Sequence, residues 1–274
     1  VSFFEAIVLG FFQGLTEFLP ISSTAHLRIV PAFVGWEDPG AAFTAVTQLG
    51  TMAAVLIYFR HELLRVVRTW LASLRRPELR RDLDARMGWY LIIGTIPIGI
   101  FGLAFKDQIE NGARNLYLIG ASLIALGLVL LAAEAVGRRN RELDSVRMRD
   151  AVVVGTAQAM ALVPGVSRSG ATISGALFLG FRREDAARFS FLLSVPAVVL
   201  SGLVELLSIA RGHEEQTTGA AQLALATGVA FVVGYASIAF LLRWLSSHST
   251  GIFVAYRIVL GTIVLSLVAA GTIS

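Results

Sequence analysis

An all-α, polytopic membrane fold is what this 274-residue chain predicts, and three observations carry the prediction. Hydrophobic residues make up 55% of the sequence and charged residues 15%, with a mean hydropathy of +0.72, a balance foreign to soluble domains. The apolar residues gather in runs long enough to cross a bilayer as helices. The basic residues gather in short connections between those runs, as membrane topology requires. A net charge of +4 spread in this way is a topology signal and gives no reason to expect nucleic acid as a partner. Cysteine is absent, which excludes disulfides and thiolate metal sites. One membrane domain over 1–274 is the natural division.

The elements follow in order. The run over 1–19 stops at Pro20 and lacks the basic start and small-residue cleavage site of a signal peptide. A second run, 24–35, is barely three turns long. A spanning helix needs roughly 20 apolar residues, so these two read as helix, break, helix. A full span is predicted at 41–59. Segment 61–86 alternates Leu, Val and Trp with Arg, the pattern of an amphipathic helix lying at the interface and then a solvated turn. Spans at 87–105 and 115–136 complete the first half. The second half repeats the order. The run 151–163 ends at Pro164 and Gly165, 168–180 is again short, and spans follow at 185–209, 219–245 and 251–272. Broken backbone inside a membrane is tolerated where protein or a wet cavity surrounds it. The expectation is therefore six spanning helices plus two re-entrant helix hairpins.

Charge and internal similarity add the arrangement. With both hairpins returning to the side they entered, 60–86, 137–149, 181–188 and 243–250 share one face and carry about 17 Lys and Arg; the other face holds Lys106, Arg114 and Arg211. The basic side is cytoplasmic under the positive-inside rule. Gly10 and Gln13 followed by Pro20 are echoed by Gly155 and Gln158 followed by Pro164, with one residue of slippage. The halves, about 1–136 and 149–274, then form an inverted-topology repeat with a site expected where the broken helices meet.

Two polar strings occupy the breaks: QGLTEFLPISSTAH at 13–26 and PGVSRSGAT at 164–172. Polar groups at membrane depth are costly and suggest function. Gln13 and Glu17 lie one helical turn apart and suit a hard divalent cation, or an interhelical hydrogen-bond pair; a buried Glu17 also suits a base. Ser22, Ser23 and Thr24 form an N-cap composition, and one cap does not account for three hydroxyls. Free N–H groups at a helix start attract phosphate. His26, three residues after Ser23, pairs with it as base and nucleophile. Arg168 unpaired at the midplane would cost about 2.5–3.5 kcal/mol; a phosphate would offset this through its forked donors, as would an ion pair with Glu17. Ser167, Ser169 and Thr172 add hydroxyls. Tyr256 and Arg257 read as interhelical bonds or as interfacial anchors, with Arg257 close enough to a helix end to snorkel.

The two strings together resemble the signatures of the undecaprenyl-diphosphate phosphatases, the bacitracin-resistance family, and the resemblance covers essentially the whole chain. It implies removal of the terminal phosphate of undecaprenyl diphosphate, and of shorter prenyl diphosphates, at the bacterial plasma membrane during cell-wall synthesis. A divalent cation, Mg2+ or Ca2+, is implied as cofactor, and a homodimer is compatible with it. On the family's pattern Glu17, Ser23, His26 and Arg168 are catalytic. Ser22, Thr24, Ser167, Ser169 and Thr172 contact substrate, and Glu17 with Gln13 holds the metal. Gln13 stands where the family has Glu or Gln, and Ala25 replaces a frequent glycine. The charge bias opens the site to the outer face. An anionic prenyl-lipid transporter is the competing class; it needs Arg168 but not the hydroxyl and imidazole groups.

Overall fold

The computed structural model describes residues 1–105, 115–210 and 218–273. Among them are eleven α-helices, three short 3-10 turns and no strand. Helix α1 (Phe3–Phe18) opens on a reciprocal cap between Ser2 and Glu5 and ends where Leu19 turns extended ahead of Pro20. Helix α2 (Ser23–Val34) is capped by Ser22 and stops at Gly35 in the left-handed conformation. Helices α3 (Gly40–Tyr58) and α4 (Arg60–Arg75) meet at a 74° bend. Helices α5 (Leu83–Ala104) and α6 (Leu116–Val136) are capped by Asp82 and Asn115. The second half holds α7 (Met148–Ala159), α8 (Arg168–Phe178), α9 (Arg183–Ala210), α10 (Ala220–Leu245) and α11 (Gly251–Ala269).

Both expected breaks are present. Between α1 and α2, and between α7 and α8, the chain leaves the helix and re-enters it at a serine. Among the described residues four helices, α5, α6, α10 and α11, are long and apolar enough to cross a membrane, and the α3–α4 pair makes up to five. The predicted span 185–209 lies inside α9, part of which falls outside the fully described residues, so it is not counted with them. The predicted 41–59 is one arm of the bent pair.

Glycine sets two close helix crossings. A Cβ on Gly10 would sit 2.4 Å from the Ala226 carbonyl oxygen, so α1 lies against the backbone of α10. A Cβ on Gly155 would sit 2.2 Å from the Gly94 carbonyl oxygen, so α7 lies against α5 in the same way. Small residues at such crossings are how helices pack where lipid removes the hydrophobic drive.

The basic connections are tied together at one end. Arg188 pairs with Glu62 at 2.8 Å, and Arg182 pairs with Glu142 at 2.6 Å. Glu134, at the end of α6, accepts from Arg139, Arg183 and the Thr250 hydroxyl. Arg141 holds Asp150 at 2.6 Å and lies over the Phe181 ring, and its proton is held more firmly than usual because of that carboxylate. Lys106, Arg114 and Arg211, expected on the opposite face, lie outside the described residues.

Candidate active site

The site begins with two turns of the same conformation. Ser22 and Ser167 have φ of +76° and +72°, a region that non-glycine residues rarely adopt. Each then caps the helix it opens. Ser22 Oγ accepts from the Ala25 N–H and bonds Thr24 Oγ1 at 3.1 Å. Ser167 Oγ accepts from the Gly170 N–H at 3.1 Å and bonds Ser169 Oγ at 3.2 Å. In each case the next residue, Ser23 or Arg168, becomes the first of its helix and faces the space between the turns. Strain of this kind persists only where surroundings impose it.

Glu17 joins the two turns. Its Oε2 accepts from Gln13 Nε2 at 3.1 Å and from Ser23 Oγ at 2.6 Å, and its Oε1 forms an ion pair with Arg168. Ser169 Oγ donates to the Leu19 carbonyl at 3.0 Å, a second bond between the turns. A cavity of about 290 Å³ opens here. Of the expected residues, Gln13, Glu17, Ser22, Ser23, Thr24, Ser167 and Arg168 line it. Thr44 and Gln48 of α3 join them, and Ile98, Leu162 and Pro164 make its apolar wall.

Three expected residues are placed elsewhere. His26 is buried and does not pair with Ser23. Its Nδ1 meets the Ser22 carbonyl oxygen and its Nε2 the Tyr256 hydroxyl, both at 2.7 Å. A carbonyl only accepts, so Nδ1 carries the proton and Nε2 accepts from Tyr256. Phe12 and Tyr256 lie beside the ring with their planes nearly parallel to it. The helix start that was expected to bring Ser23 and His26 together instead turns the imidazole away from the cavity. Thr172 is fully buried, donates to the Arg168 carbonyl and bonds Ser190. Ser169 spends its hydroxyl on Leu19 and Ser167.

Arg257 takes the interhelical of its two expected roles. It is not a snorkelling anchor, because its exposure is 0%. Nη1 donates to the Pro20 carbonyl at 3.0 Å, and Nη2 donates to those of Gly165 and Val166 at 3.0 and 3.1 Å. Nε donates to the Leu123 carbonyl at 3.1 Å. One guanidinium therefore satisfies backbone from both turns and from α6. The available signal was a lone charge in an otherwise uncharged span, which is a functional pointer in a membrane.

Among the described residues no group of three or more His, Cys, Asp or Glu side chains could hold a metal. The residues do fit a cation whose shell is shared with a ligand: Glu17 supplies a carboxylate, and Gln13 Oε1 is buried with no hydrogen-bond partner. The arrangement offers a hydroxyl on a carboxylate, an arginine whose remaining donors face a cavity, and two helix starts.

Comparison with known proteins gives the same direction. Residues 6–263 match the family described as bacitracin resistance protein BacA. An undecaprenyl-diphosphatase of a Nocardioides species is 53% identical over 100% of this chain and 99% of its own length. One from Mycolicibacterium smegmatis is also 53% identical, over the same shares. One from Chlorobaculum tepidum is 50% identical over 99% of each chain. A match of this extent leaves no segment of the fold unaccounted for, and the chain belongs to the bacitracin resistance protein BacA family.

Proposed function

We propose that this protein is a membrane phosphatase that hydrolyses undecaprenyl diphosphate to undecaprenyl phosphate and inorganic phosphate. Full-length relatives named undecaprenyl-diphosphatase support the substrate. The observation that carries the chemistry is the Ser23 hydroxyl 2.6 Å from Glu17 Oε2, with Arg168 on the other carboxylate oxygen.

Ser23 Oγ attacks the terminal phosphorus as its proton passes to Glu17. The bond from that phosphorus to the bridging oxygen breaks, and undecaprenyl phosphate leaves carrying the proton that Glu17 took up. Glu17 then takes a proton from the water that attacks the phosphoseryl phosphorus, and passes it to Ser23 Oγ as inorganic phosphate departs. Phosphate entering the cavity competes with Glu17 for Arg168. The guanidinium then neutralises charge that develops on the phosphoryl oxygens, usually the largest contribution in such reactions. The same exchange leaves the carboxylate without its counter-charge, ready to accept a proton. His26 holds the start of α2 through the Ser22 carbonyl. A divalent cation, Mg2+ or Ca2+, would be held by Glu17 and Gln13 Oε1 with phosphate oxygens, and would supply further charge neutralisation.

The finer architecture belongs to the same reading. The chain has six spans in the bacterial plasma membrane, with α1–α2 and α7–α8 as re-entrant hairpins of an inverted repeat. The matching serine turns and the exchanged crossings, α1 on α10 and α7 on α5, support it. The site opens to the outer face, opposite the basic connections. Shorter prenyl diphosphates share the headgroup and enter the same cavity. Transport alone needs no serine on a carboxylate, so hydrolysis is favoured over a flippase. The test is phosphate release from farnesyl diphosphate by purified protein in detergent. Release by the wild type and none by Arg168→Ala is expected; a wild type without release overturns the reading.

A further inference from the structure

Helix α4 is the large feature that the phosphatase reading leaves unused. The 74° bend at Phe59 turns it across the direction of α3. Its packed side is fixed. Val66 and Ser73 are buried, Trp70 fills the space above Gly88, Arg65 pairs with Asp84 at 2.6 Å, and Glu62 pairs with Arg188 at 2.8 Å. Its other side is apolar and open. Leu64, Val67, Leu71 and Leu74 are 50, 47, 50 and 49% exposed, and their spacing puts them in one stripe. Arg68 and Arg75 border that stripe, and among the described residues neither has an acidic partner. Both acids facing the helix, Glu62 and Asp84, are already paired.

We propose that α4 binds acidic phospholipid at the basic face of the protein. The four apolar side chains enter the hydrocarbon of that leaflet, and Arg68 and Arg75 hold phosphate headgroups above it. The bend places α4 in the membrane plane when α3 crosses it. Trp89, 42% exposed and edge-on to Trp70, sits at the same level, where aromatic rings collect. A second copy of the chain fits this face less well, because a two-fold contact would bring like arginine rows together.

The absence of cysteine allows a single reporter. Full-length Leu71→Cys, carrying a fluorophore, is placed in bilayers of phosphatidylcholine and phosphatidylglycerol, with a quencher on one lipid or the other. Val232→Cys on α10, an exposed apolar position, is the control. Phosphatidylglycerol enrichment is expected at position 71 and not at 232. It should fall about fivefold for each of Arg68→Gln and Arg75→Gln, and it should weaken with added salt in the unaltered helix, a readout that does not depend on the variants folding. Equal enrichment at both positions overturns the proposal. So does quenching of the position 71 label by aqueous iodide, or disulfide formation between two Leu71→Cys chains, which would put a second copy on this face.

Discussion

Ser23 and Arg168 stand one residue beyond serines of positive φ, and that placement decides what each can do. Ser23→Ala removes the proposed attacking oxygen and the bond to Glu17. Turnover should fall by about 10²–10⁴ with little change in folding, and rapid quench of the wild type should trap a phosphoserine; a variant within tenfold of wild type would favour direct attack by water. Arg257→Met leaves carbonyls of Pro20, Gly165, Val166 and Leu123 buried without their donor. A loss of roughly 3–5 kcal/mol is expected, read as a lower unfolding temperature in detergent. Glu17 and Arg168 were legible because charge in a greasy break has few structural excuses. Interhelical bonding by Arg257 was one of two readings, and its partners were not legible. It lies six residues into its helix, where a snorkel is reasonable, and its partners are 91 to 237 residues away. His26 failed for a related reason: spacing along a helix gives proximity but not direction, and Tyr256 and the Ser22 carbonyl decide where the ring points.

At the scale of elements, short length and Pro-Gly punctuation located both breaks, and the caps explain why the chain resumes as helix at Ser23 and Arg168. The apparent slippage between the repeats came from aligning prolines. The turns align on the serines instead. Gly10 and Gly155, Gln13 and Gln158, and Ser22 and Ser167 are each 145 residues apart. Crossings also follow from this alignment, since the two glycines occupy matching contacts. Gly10→Val places atoms where the Ala226 carbonyl lies, and no side-chain rotation relieves a backbone clash. Overpacking of about 1–3 kcal/mol or more is expected, together with loss of monodisperse protein on size exclusion. Gly99→Val is the control, because nothing lies within 4 Å of a Cβ there; it should behave as wild type.

At the scale of the molecule, the repeat reading gives each half a different share of one site. Ser23 and Arg168 hold equivalent positions, so one turn presents the proposed nucleophile and the other the cation. Glu17 has Leu162 at its equivalent, so the carboxylate belongs to the first half alone. This division separates chemistry from the ionic end of the protein. Glu134 is eleven residues beyond Leu123 on α6, roughly 16 Å along the helix from the Arg257 contact. Its side chain is 11% exposed, yet it gathers Arg139, Arg183 and Thr250 from three connections. Glu134→Gln removes the charge that balances two arginines, and breaking a pair of this kind costs about 3–5 kcal/mol where burial is complete and less here. The unfolding temperature should drop, while kcat and KM for farnesyl diphosphate, measured well below that temperature, stay within about twofold of wild type. A large change in kcat with unchanged stability would mean that the two ends are coupled, and that the basic face takes part in the reaction cycle instead of only holding the helices together.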